Sequence, residues 1–183
     1  MVRMKTYDEA KFRDLVLYIC YKNRDNPHFG STCLNKNLYY ADFFWYAATG
    51  ESITRDTYIR KEHGPIPKHL IPVRESLERD GLLALETVVY FGREQKKPTV
   101  EIEPETPNLS DEERQFVDQI VEMLSPFNAT QLSDMTHKEL SWQVLQTGEE
   151  VPYASIFLRY VNPVPLEAMK WAKETIKEIR LAS

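Results

Sequence analysis

Glycine is scarce in this sequence: there are only six, all isolated. A phosphate-binding loop needs several glycines close together so that backbone amides can reach the phosphates, so no nucleotide loop is visible. Cysteine is scarcer still, with only Cys20 and Cys33, and neither stands at a metal-type spacing. Two free thiols in a reducing cytoplasm is the plain reading, and a single disulfide between them is the alternative. His63 and His69 lie across two prolines, with His28 and Cys33 far off, so no metal site or cofactor is expected. Long apolar runs are missing as well. The longest, Leu38 to Ala48, contains Asp42 and is far too short to span a bilayer. The N-terminus turns polar at once, so no signal peptide is evident and the chain is expected to be cytoplasmic, without a membrane. No sign of charge dominates: 23 Lys and Arg against 28 Asp and Glu give a net charge of -5, with acids and bases well mixed. That balance exerts no general pull toward nucleic acid or anionic lipid, although a local basic patch is not excluded.

What the sequence has is aromatic material. Eight Phe, ten Tyr and three Trp sit in a chain of 183 residues, 42% of them hydrophobic. A chain of this length buries roughly 70% of the surface its unfolded form exposes, so it needs no disulfide or metal to fold. Residues 1–183 read as one domain.

Helical periodicity places the first element from Asp8 to about Lys22, with Phe12, Leu15, Val16 and Ile19 on one stripe and Asp8 as cap. Asn26-Pro27 stops it. Ser31-Thr32 offer a new cap, and a second helix is expected from Leu34 to about Thr49, closed by Gly50. Tyr39, Tyr40, Phe43, Phe44, Trp45 and Tyr46 cover every face of this helix, which places it at the centre of the fold. A polar connector with a short extended piece, Thr57-Tyr58-Ile59, leads to Gly64-Pro65-Ile66-Pro67, expected as a stiff loop. A third helix carries Leu70, Ile71, Val73, Leu77 and Leu82, with its regular part expected from Pro72. Leu83 to Phe91 and Thr99 to Glu103 are expected to pair as a hairpin around a basic tip, Gly92 to Pro98. Ser110 and Glu113 form a capping box for a helix with Phe116, Val117, Ile120, Val121 and Leu124 inward. Thr136 and Glu139 form a second, for a short helix holding Leu140, Trp142 and Leu145. A last helix is expected from Val164 to about Leu181. The fold class is α+β, mostly α: a compact helical domain around a central aromatic-rich helix, with a small antiparallel β-hairpin.

Chemistry is harder to find. Cys33 with His63 or His137 is the conceivable nucleophile–base pair, but no motif stands behind it, and a small buried thiol is the alternative. Asp42, among aromatics, is the one suspicious carboxylate. Burial would raise its pKa and could make it a general acid; the alternative is a structural Asp bonded to a tyrosine hydroxyl, a lysine or a backbone amide. The order of elements also fits a winged helix, with Lys68, His69, Arg74 and Arg79 on the third helix and Arg93, Lys96 and Lys97 at the wing tip. DNA binding needs those charges on one surface, and Glu75, Glu78, Asp80, Glu86 and Glu94 interrupt it.

The segment Leu34-Asn35-Lys36-Asn37-Leu38-Tyr39-Tyr40-Ala41-Asp42-Phe43 closely resembles the opening helix of the Panacea domain, the SocA-like antitoxin domain, whose usual form is L-x-K-L-L-Y-F-A-D. The resemblance continues through Thr49 to Thr54, Tyr58, Gly64-Pro65-Ile66-Pro67 and the leucine-rich helix ending at Asp80-Gly81-Leu82. Leu132-Ser133, Thr136-His137 and Trp142 look like the family's second signature, and together these pieces cover roughly residues 10 to 160. Asn37, where the family has an apolar residue, and Pro72 are departures. The resemblance implies a non-enzymatic antitoxin that neutralises a protein toxin by direct contact, or delivers it to a Clp-type protease. Such domains often occur in prophages and mobile elements. Gly50, Gly64, Pro65 and Pro67 read as backbone devices. The candidates for partner contact are Tyr58, Arg60, His63 and Pro65 on or before the stiff loop, with Lys36 and His137, since aromatic, Arg and His groups on a rigid loop make good anchors. Lys170, Lys173, Lys177 and Arg180 offer a second contact or simply a solvated face. A DNA-binding regulator, or an enzyme of unrecognised type, is the competing reading.

Overall fold

A computed structural model describes residues 6–90 and 92–158 of the protein. The expected terminal helix, and with it Lys170, Lys173, Lys177 and Arg180, lies outside the described residues.

Helix α1 (Glu9–Lys22) begins where expected, because the Asp8 carboxylate accepts from the Lys11 amide at 3.0 Å and satisfies a donor the helix cannot. Its stripe of Phe12, Leu15, Val16 and Ile19 is fully buried. Helix α2 (Ser31–Thr49) starts earlier than the sequence implied. Gly30 occupies the cap position, and neither Ser31 nor Thr32 serves as cap because both are already helical. Gly50 closes it in the left-handed conformation, φ 84°, with its amide bonded to Tyr46 O. Tyr39, Tyr40 and Phe43 are wholly buried, and Phe44, Trp45 and Tyr46 partly so. Helix α2 touches α1, two later helices and two strands, so the all-round aromatic helix is the fold's central post.

Strands β1 (Tyr58–Lys61) and β2 (Gly64–Pro67) form an antiparallel hairpin. The proline-rich segment is therefore a strand and not the expected loop. Two facts allow it. Strand β2 lies at the edge of a three-stranded sheet ordered β2-β1-β5, where β5 is Glu150–Val151. The Lys68 amide donates to Thr57 O at 2.8 Å, so the bonded pairs fall at Ile59–Ile66 and Lys61–Gly64. Pro65 and Pro67 thus occupy the alternate positions, where a missing N–H costs the ladder nothing.

Helix α3 (Leu70–Arg79) starts before Pro72, which sits in the first turn where its absent N–H has no intrahelical partner anyway. A second hairpin follows, β3 (Ala84–Tyr90) with β4 (Arg93–Thr99), closing through Gly92 at φ 74°. Here too the expectation is corrected: the basic run is the strand itself, not a tip, and Val100–Glu103 lies beyond it. The strand's inward side is polar. Gln95 Nε2 donates to Phe29 O at 3.1 Å and Lys97 Nζ to Arg24 O at 3.0 Å, stitching β4 to the α1–α2 loop.

Helix α4 (Asp111–Leu124) carries the expected Ser110–Glu113 capping box. The second box, however, is Asn128 with Gln131, opening α5 (Ala129–His137). Thr136 is already inside α5, and Glu139 heads α6 (Leu140–Val144) without capping it, because its carboxylate turns inward. A 3₁₀ helix, Tyr153–Leu158, ends the described chain. The architecture is α+β and mostly α.

Candidate functional site

Three consecutive carbonyls at the β1–β2 turn, those of Lys61, Glu62 and His63, are each held by a side chain from elsewhere. Trp142 Nε1 donates to Lys61 O at 3.2 Å, and His137 Nε2 donates to Glu62 O at 3.0 Å. Lys36 Nζ and Ser133 Oγ (3.3 Å) both donate to His63 O. Helices α2, α5 and α6 thereby clamp one short turn. The bonds to His63 O are part-buried and those to Lys61 O and Glu62 O exposed, and a net hydrogen bond of this kind is worth about 1 kcal/mol.

The clamp depends on an interior lysine. Lys36 is 1% exposed, and desolvation lowers its pKa to about 8, opposed by the negative charge of Glu139. Its ammonium fits because residue 64 is glycine, with φ 105° and no Cβ. Glu139 is itself buried, accepting from Tyr39 Oη at 2.6 Å and from Tyr40 Oη at 3.2 Å. The Trp142 ring is covered by a guanidinium and an imidazole. The Arg60 guanidinium lies 4.3 Å from its ring and the His137 imidazole stacks on it at 3.9 Å. Arg60 is tied further by Nε to Trp142 O at 3.3 Å and by its guanidinium to Thr147 Oγ1.

A second buried cluster lies under β1. Asp42 is wholly buried and accepts from the Thr54 amide (2.9 Å), Thr54 Oγ1 (2.5 Å) and Tyr58 Oη (2.9 Å). Burial pushes its pKa up to about 6, and the three donors hold it from going higher. Burial, then the charge of Asp42, raises the Tyr58 hydroxyl well above its ordinary value. Tyr153 Oη donates nearby to Asp56 O at 2.6 Å. Asp56, also buried, takes the His69 amide at 3.0 Å and pairs with His69 Nδ1 at 2.6 Å, while Tyr7 stacks on that imidazole at 4.1 Å.

Of the six residues read as partner contacts, Lys36, Arg60, His63, Pro65 and His137 lie at or beside the clamped turn and Tyr58 lies in the Asp42 cluster, and several are turned inward. Tyr58 and Lys36 are interior and Pro65 is buried. An inward hydroxyl on Asp42 and an inward ammonium on a carbonyl leave nothing for a partner to grip. Arg60 and His137 are half-buried against Trp142, and His63 is exposed. Cys33 bonds His28 O at 3.1 Å through its thiol, burial raises that thiol's pKa, and both cysteines are free. Asp42 takes the structural alternative, bonded by a tyrosine hydroxyl and a backbone amide. Glu139, Asp56 and the His69 pair were not anticipated. Glu139 was disguised by a capping pattern, and Asp56–His69 has no local signal. For the winged-helix reading, Lys96 and Lys97 are adjacent in a strand and so face opposite ways. Among the described residues, no helix is long and apolar enough to cross a membrane, and no group of three or more His, Cys, Asp or Glu could hold a metal ion.

A family model described as antitoxin SocA-like, Panacea domain, matches residues 34–143. The match opens just before Lys36 and closes just after Trp142, so it contains the whole clamp. No curated protein and no solved structure matches the chain.

Proposed function

The chain belongs to the family of SocA-like antitoxins, the Panacea domain, and on that footing we propose that it neutralises a partner toxin by direct protein–protein binding. The family match over residues 34–143 carries this reading. Asp42 and Glu139 each accept from neighbouring hydroxyls inside the core, which supports a structural role for both carboxylates. The clamped turn is a rigid platform, and a rigid platform loses little conformational entropy on binding. On it, exposed Lys61, Glu62 and His63 and half-buried Arg60 and His137 are within a partner's reach. Neutralisation then proceeds by occluding the toxin's working surface or by presenting the toxin to a Clp-type protease.

The test is co-expression of the chain with the products of its neighbouring genes in the native host, with a tagged pull-down after nuclease digestion. A neighbour-encoded protein that arrests growth alone, is harmless beside this chain and is recovered with it in stoichiometric amount supports the reading. Recovery of protease subunits in addition selects delivery over occlusion. If no protein is recovered while undigested samples retain DNA, the antitoxin reading fails and the regulator takes its place.

A further inference from the structure

A cleft of about 760 Å³ lies away from the clamp, between the end of α3, the start of β3 and the segment that follows β4. Its floor is apolar: Leu17, Leu83 and Val100 are buried beneath it. Two large aliphatic side chains beside that floor are left in water, Leu82 at 50% and Ile102 at 83% exposure. An isolated exposed aliphatic is ordinary, but two on the walls of an apolar cleft mark a contact surface.

The rim decides what fits. Glu78, Glu86, Glu101, Glu103 and Glu105 line the same cleft, and among the described residues no lysine, arginine or histidine does. None of the five carboxylates has an ion-pair partner among the described residues. What sets the rim apart is five such carboxylates together with no base beside them, whereas elsewhere Arg13 pairs with Asp80, Lys22 with Asp118 and Lys11 with Glu113. An apolar trough ringed by one sign of charge selects a segment of the opposite sign with apolar side chains between its charges.

We propose that this cleft is a docking surface for a basic, apolar segment of the partner protein, in which leucine-like side chains enter beside Leu82 and Ile102 and flanking lysines or arginines meet the glutamate rim. The identity of that partner as the toxin rests on the antitoxin reading above; the cleft's chemistry does not.

The probe is a 15-residue peptide of alternating Lys and Leu blocks, titrated into the full chain, with its Glu/Leu counterpart as control. We expect backbone NMR shifts at Leu82, Ala84 and Ile102 with the Lys/Leu peptide only. The double variant Glu101→Lys/Glu103→Lys should bind about tenfold more weakly, and Ile102→Asp likewise. The charge-matched control Glu112→Lys/Glu122→Lys, on exposed α4 positions, should bind as the parent does. Shifts elsewhere, no binding, or equal loss in both double variants would overturn the cleft. The growth assay separates the two claims. Rescue that is as strong in Glu101→Lys/Glu103→Lys as in the parent removes the cleft as the toxin's seat and keeps the antitoxin reading. Peptide binding in a chain that rescues nothing sinks the antitoxin reading and keeps the surface.

Discussion

The ammonium of Lys36 occupies the place where a side chain at Gly64 would begin: a Cβ there would strike Lys36 Nζ and lie 2.5 Å from Thr136 Oγ1. One helix, one turn and a third element thus meet at a point where no atom can be added. The glycine is needed twice, for its φ of 105° and for the space.

Gly64→Ala is therefore expected to destabilise the fold by about 2–4 kcal/mol, the sum of left-handed strain and displacement of a buried donor. Gly148 supplies the comparison, with φ 99° and nothing within reach of an added Cβ. Gly148→Ala should cost about 1–2 kcal/mol, from strain alone. Urea unfolding of both variants checks this; equal losses would show that the space around Lys36 is not tight.

Lys36 predicts a pH dependence of definite sign. Its folded pKa, about 8, lies below the ordinary 10.5, so between those values the unfolded chain binds more protons than the folded one. Stability then rises as pH climbs through that window, by up to about 3 kcal/mol, and the cost of burying the charge is felt in full below pH 8. Lys36→Met should lack this rise. The measurement is the difference between the two unfolding curves from pH 7.5 to 10, and parallel curves would refute it.

Asp42 gives the opposite slope in another window. Its folded pKa of about 6 lies above the ordinary 3.8, so the folded state holds the extra proton between those values. Its contribution favours folding at low pH and is lost as pH rises toward 6, by up to about 3 kcal/mol. Asp42→Asn should flatten that stretch. Tyr58→Phe removes one of the donors that hold the value down, so the carboxyl midpoint, followed by carbon NMR, should move upward. A downward move would mean that the hydroxyl does not donate to Asp42.

How much of this was legible in the chain follows the range of the forces involved. Helices α1, α2 and α4 could be read because their caps and stripes are local: Asp8 with Lys11, Gly50 with Tyr46, Ser110 with Glu113. Strand β2 could not, since proline usually ends a strand, and only its place at the sheet edge permits it. Strand β4 hid because its inward side is Gln95 and Lys97 instead of an apolar alternation. In the site, the residues were legible and their directions were not. Tyr39 meets Glu139 across 100 positions and Arg60 meets Trp142 across 82, and no spacing rule reaches that far. Lys36 and Tyr58 carry side chains that suit an interface equally well as a core clamp, and only the partner's location tells which.

The turn also allows fold and binding to be separated by three substitutions. Trp142→Phe keeps an aromatic ring for Arg60 and His137 but loses the donor to Lys61 O, and should cost about 1 kcal/mol. Trp142→Ala loses the ring as well, and for a half-buried tryptophan the total should be about 2–4 kcal/mol. His63→Ala touches an exposed side chain whose carbonyl, not its ring, is what the clamp holds, so the unfolding midpoint should not move. If the turn is a contact, His63→Ala must nevertheless weaken capture of the partner, while Trp142→Phe weakens it only as far as it destabilises the fold. Capture unaffected by His63→Ala, in a chain still able to bind, would leave the clamp as architecture alone and assign recognition to another face.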